Sequence, residues 1–73
     1  MYKVSTMSGS IAKNHARTPT RLWGMGLTPE QVARVSKVEV WGTSFKDHGP
    51  DFTEHRALDN RGEVVASYRV DGY

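Results

Sequence analysis

Cysteine is absent from this chain, which excludes disulfides and any cysteine-based zinc site. Long apolar runs are absent too, and none approaches the roughly 20 residues of a membrane-spanning helix. Residues 1–7, MYKVSTM, lack the apolar stretch of a secretory signal. The expectation from these absences is a cytoplasmic protein with no membrane partner. Acidic residues are scarce at the start, where six Lys/Arg face Glu30 alone from Met1 to Lys37, giving +5. The remainder carries four basic against seven acidic residues, giving −3. Such asymmetry marks a face for nucleic acid or an acidic partner, unless folding interleaves the two halves.

With 73 residues the chain makes a single small domain, 1–73. A chain of this length buries about 60% of its unfolded surface, and such a core supplies roughly 3–5 kcal/mol. A partner chain is one common remedy.

The clearest local signal is Leu27-Thr28-Pro29-Glu30-Gln31-Val32. Thr28 supplies an N-cap hydroxyl, Pro29 the first helical position, and Gln31 the far side of a capping box. Leu27 and Val32 flank it as a hydrophobic staple. The pattern predicts a helix over 28–37, with Val32 and Val35 as a narrow apolar stripe and Arg34 and Lys37 suiting its C-terminal dipole.

Before it, Tyr2 to Met7 alternates as a short strand, and Ser8-Gly9-Ser10 reads as a turn. Residues 8–27 form a basic, weakly patterned segment. Ile11, Ala12, His15 and Ala16 have the spacing of a turn or two of helix, which Pro19 would stop. After the helix, 38–70 reads as antiparallel strands. Val38 and Val40 alternate against Trp41 and Phe45, with a bulge expected at Gly42. Phe52–Leu58 forms a second strand, Asp59-Asn60-Arg61-Gly62 a hairpin turn, and Val64–Val70 a third. The fold class is therefore α+β: a small antiparallel sheet of three to four strands with one short helix packed on one face.

Two apolar sets then compete for cover: Val38, Val40, Val64 and Val70 on one face, Trp41 and Phe45 on the other. A lone short helix covers one face, so the segment 11–27 or another chain must cover the second.

Lys13, Arg17 and Arg21 recur every four residues, with Trp23 just beyond. Basic groups beside an aromatic suit an acidic protein surface or single-stranded nucleic acid; the plainer reading is a solvated loop with Trp23 in the core. Trp41, Phe45 and Phe52 are core fillers or, if exposed, hot-spot material. Asp47, His48, Asp51, Glu54 and His55 are acceptable metal ligands, but their spacing matches no metal motif, so no metal and no cofactor is expected. His55 and Arg56 are sequence neighbours and point to opposite faces of a strand, which counts against a shared catalytic site; no catalytic residue and no small-molecule substrate is assigned. The expected function is a small non-enzymatic regulator or inhibitor, of bacterial or phage character, that binds another protein or a second copy of itself as a homodimer. Its partner-binding residues are Lys13, Arg17, Arg21, Trp23, Trp41, Phe45 and Phe52. The alternative is a nucleic-acid-binding module using the basic segment 13–23.

Overall fold

A computed structural model describes residues 2–43 and 52–71. Strand β1 (Tyr2–Ser8) leads into helix α1 (Gly9–Arg17), a 3-10 turn (Thr20–Leu22) and the short helix α2 (Pro29–Arg34). Strands β2 (Lys37–Gly42), β3 (Phe52–Leu58) and β4 (Val64–Asp71) follow. The four strands form one sheet in the order β1-β2-β3-β4, antiparallel at every junction. The α+β class is therefore correct.

The boundaries differ from the sequence pattern in instructive ways. Residues 8–27 are less irregular than expected, because α1 occupies nine of them. Gly9 at φ +62° turns the chain out of β1, a left-handed conformation that glycine adopts without steric cost. The helix buries Ala12 and Ala16 rather than Ile11, which is 65% exposed. Alanine pairs let the helix approach the sheet closely but contribute little hydropathy, so the sequence pattern is faint.

Helix α2 starts as the sequence predicts. Gln31 N–H donates to Thr28 Oγ1 at 3.3 Å, and Thr28 N–H donates to Gln31 Oε1 at 3.0 Å, closing the capping box. It ends early, at Arg34, because Val35 is already extended and buried. Ser36 N–H then bonds the Leu58 carbonyl at 2.7 Å, which recruits the chain into the sheet. Tertiary pairing overrides the last three residues of the helical pattern, Val35 to Lys37.

The bulge expected at Gly42 lies elsewhere. Lys3 faces Trp41 and Ser5 faces Val40, leaving Val4 as the extra residue of β1. A second irregularity sets Leu58 opposite Val64 and Ala57 opposite Ala66. As a result Val65 packs against the core while Val64 is exposed, where the sequence pattern puts Val64 on the Val38 face.

The main core cluster among the described residues comprises Ala12, Ala16, Met25, Val35, Val38 and Ala57, with Met7, Leu27, Val32, Val65 and Tyr68 packed around it. All of it lies on the Val38 face of the sheet, beneath the segment that joins β1 to β2. Because this core is small, the α2 cap matters. Thr28→Ala removes one oxygen of the capping box and is expected to cost about 1 kcal/mol, lowering the melting temperature by roughly 4–8 °C. Thermal denaturation followed by circular dichroism checks this, with Thr28→Ser expected to restore most of the loss.

Candidate functional site

The residues between α1 and α2 form a tight turn, hydrogen-bonded from Leu22 through Leu27. Leu22 and Gly24 N–H donate to the Pro19 carbonyl at 2.9 and 3.1 Å, and Trp23 N–H to that of Thr20 at 3.0 Å. Met25, Gly26 and Leu27 N–H donate back to the carbonyls of His15, Thr18 and Ala16 at 3.1, 2.8 and 2.9 Å. The turn is thus stitched to the last turns of α1, with Met25 buried as its apolar root. Gly24 is buried against Thr18, where a Cβ would collide with that residue's carbonyl.

This framework forces Trp23 into the left-handed region at φ 69°, ψ 21°. The conformation costs an L-residue roughly 1–2 kcal/mol. The ring gains little burial in return: Trp23 is 64% exposed and its neighbour Leu22 60%. Trp23 is therefore a displayed side chain, where the plainer sequence reading would place it in the core. Arg21 lies beside it, exposed, and takes no hydrogen bond or ion pair among the described residues.

The other basic residues of the segment do not join it. Lys13 Nζ donates to the carbonyls of Val32 and Ala33 at 3.1 and 3.3 Å, tying α1 to the C-terminal end of α2. Arg17 donates to Asn14 Oδ1 at 2.6 Å. Pro19 and the 3-10 turn break the four-residue spacing, so Lys13, Arg17, Arg21 and Trp23 make no continuous stripe.

Trp41 and Phe52 share the sheet face opposite the core, as the strand alternation implies; Phe45 and the Asp47–Asp51 run lie outside the described residues. These rings are covered by the sheet's own cations. Arg56 and Lys3 lie 5.0 and 5.8 Å from the Trp41 ring centre, and Arg69 lies 3.8 Å from that of Phe52. Each cation also meets an acid: Lys3 and Lys37 at Glu39, Arg56 at Glu54, and Arg69 at Asp71. The Trp41 indole N–H donates to Glu39 at 3.1 Å and, ahead of Lys3 and Lys37, holds its carboxyl below the usual carboxylate range. The second face is therefore clothed by charged side chains lying over aromatics. The dilemma of segment 11–27 or another chain has this third solution, and segment 11–27 itself lies on the Val38 face.

One pair of functional groups was not anticipated. His15 on α1 and His55 on β3 share a hydrogen bond of 2.7 Å between Nε2 and Nδ1. Their rings are 4.9 Å apart, with the edge of Tyr68 against His55. Burial pushes both imidazoles below their ordinary value, and for His55 the neighbouring His15 adds to this. His55 thus faces the helices while Arg56 lies over Trp41, the opposite facing that the sequence implied. Among the described residues, no group of three or more His, Asp or Glu is placed to hold a metal ion, and no helix is long and apolar enough to cross a membrane.

No protein family, no curated protein and no solved structure matches the chain.

The imidazole pair makes stability pH-dependent. Both groups bind protons less readily folded than unfolded, so the unfolded state takes up more protons on acidification. Their contribution is complete above the unfolded value of 6.5 and is lost as pH falls below it toward the lowered folded values. Urea denaturation is expected to show a lower midpoint at about pH 5 than at about pH 7.5. His55→Phe should flatten that dependence.

Proposed function

We propose that this protein is a binding module that docks a partner protein through the Arg21-Leu22-Trp23 turn. The observation that carries the reading is Trp23, exposed and held in a left-handed backbone by a hydrogen-bonded turn. A residue kept in a costly conformation by its surroundings, with no burial to offset it, suggests a role outside the chain. Trp and Arg are the side chains most often dominant at protein interfaces. A turn fixed in advance also loses little conformational entropy on docking. The chemistry presented calls for an apolar pocket that accepts the indole and Leu22, with an acidic rim for Arg21. A small regulator or inhibitor acts in this way, by occupying such a pocket on its target.

The nucleic-acid reading has less support. Pro19 and the 3-10 turn part Lys13 and Arg17 from Arg21 and Trp23, and the cations beside Trp41 and Phe52 are balanced by acids. Neither arrangement resembles a basic track along which a phosphate backbone would run.

Trp23→Gly separates binding from folding. Glycine relieves the left-handed strain, roughly 1–2 kcal/mol, while its extra unfolded freedom costs about 0.5–1 kcal/mol. The variant is therefore expected to melt at or slightly above the wild-type temperature. In a nuclease-treated pull-down from the source organism, wild type is expected to retain a stoichiometric protein that Trp23→Gly loses, weakened by at least about tenfold. Retention by the folded variant at wild-type affinity would overturn the proposal. Co-purifying nucleic acid that disappears on nuclease treatment would transfer the function to the alternative.

A further inference from the structure

Two adjoining concavities open along the seam between α1 and α2. One, of about 480 Å³, is lined by Leu27, Pro29, Val32 and Ala33 together with Lys13 and Arg17. The other, of about 730 Å³, lies between the start of α1, the α2–β2 junction and the β3–β4 turn, and holds Lys13, Arg34 and Arg61. Lys13 and Ala33 line both, so the two form one cleft with an apolar end and a cationic end. Each volume falls in the range of small-molecule sites, about 300–1,000 Å³.

The cationic end is organised by the fold. Lys13 gives two N–H groups to the carbonyls closing α2, which fixes its ammonium and leaves the third donor unused. Arg34, exposed, makes no hydrogen bond or close ion pair among the described residues, and its charge acts on Asp59 across the cleft. Ser8 and Gly9 bring in the start of α1, which has neither a side-chain cap nor an acid in its first turn, so its first N–H groups lack a side-chain acceptor. Arg61 pairs with Glu63 at 3.0 Å, and the one acid lining the cleft, Asp59, feels the charges of both Arg61 and Arg34. Its Oδ1 accepts from the backbone N–H of Arg61 and Glu63 at 2.8 and 3.0 Å, and its Oδ2 lies 3.8 Å from the Arg61 guanidinium.

We propose that this cleft binds an amphiphilic anion. A carboxylate or phosphate-type headgroup sits between Lys13 and Arg34, carried on an apolar body that lies against Leu27, Pro29 and Val32. Trp23 takes no part in it, so this site and the docking turn stand or fall separately.

The probe is anilinonaphthalene sulfonate, one anion on an aromatic body, titrated into the full chain and followed by its fluorescence. The neutral N-phenyl-naphthylamine and inorganic phosphate serve as the apolar and anionic halves alone. The sulfonate is expected to bind one site at least about tenfold more tightly than either half. Arg34→Glu, an exposed change whose folding is checked by circular dichroism, should weaken the sulfonate by about tenfold or more and leave the neutral probe unchanged. Amide chemical shifts should move at Gly9, Lys13 and the residues from Val32 to Ser36. Equal binding of the neutral probe or of phosphate, indifference to Arg34→Glu, or shifts confined to other residues would each overturn the proposal.

Discussion

The pairing of Ser8 with Lys37 governs the rest of the molecule. It pins the two ends of the 9–36 segment side by side at one end of the sheet. That segment must leave β1, cover a face and return to the same place as β2. Its two helices can serve one face only. They take the one where Val38 and Ala57 are small enough to receive Ala12 and Ala16. The remaining residues are spent on reversing direction, and the reversal is where the chain is most constrained. Gly24 closes on Thr18 and the backbone bonds return to α1, so the turn has one geometry and Trp23 is forced outward by it. The same closure places the start of α1 beside the end of α2, which opens the cationic cleft.

The opposite face shows how a two-layer domain manages without a second helical layer. Aromatic rings at Trp41 and Phe52 supply apolar area, and Lys3, Arg56 and Arg69 lay their long stems and charges across it. The acids Glu39, Glu54 and Asp71 balance those charges along the strands. Of these ion pairs Lys3–Glu39 crosses between strands and the others run along one; a cross-strand pair is worth roughly 0.2–1 kcal/mol, and together they keep the sheet surface polar. The +5 and −3 halves of the sequence meet here in part, with Lys3 and Lys37 from the basic half on Glu39 from the acidic one.

Much of the architecture was legible because it is local. The Thr28-Pro29-Glu30-Gln31 cap, the alternation of β2 and β3 and the hairpin turn at Asp59–Gly62 each follow from residues within a few positions. What was hidden depends on partners far along the chain. Helix α1 packs through alanines, whose low hydropathy leaves little periodic signal. The early end of α2 depends on Ser36 reaching Leu58. The outward Trp23 depends on Gly24 meeting Thr18. His15 and His55 meet only because α1 packs over β2, next to β3, and nothing in their separate surroundings advertises it. Of the candidate binding residues, Arg21 and Trp23 emerge together on one turn. Lys13 and Arg17 have work inside the fold, Trp41 and Phe52 lie under their own cations, and Phe45 lies outside the described residues.

Docking through Trp23 requires that the turn between α1 and α2 be held in one conformation before any partner arrives. Backbone order parameters from nitrogen relaxation test this directly, comparing the amides from Leu22 to Leu27 with those of β2 and β3. A turn held by the fold gives values near those of rigid backbone, about 0.85, throughout. Values below about 0.6 there, with the sheet still rigid, would mean that Trp23 is not held outward by the fold and would contradict the proposed docking.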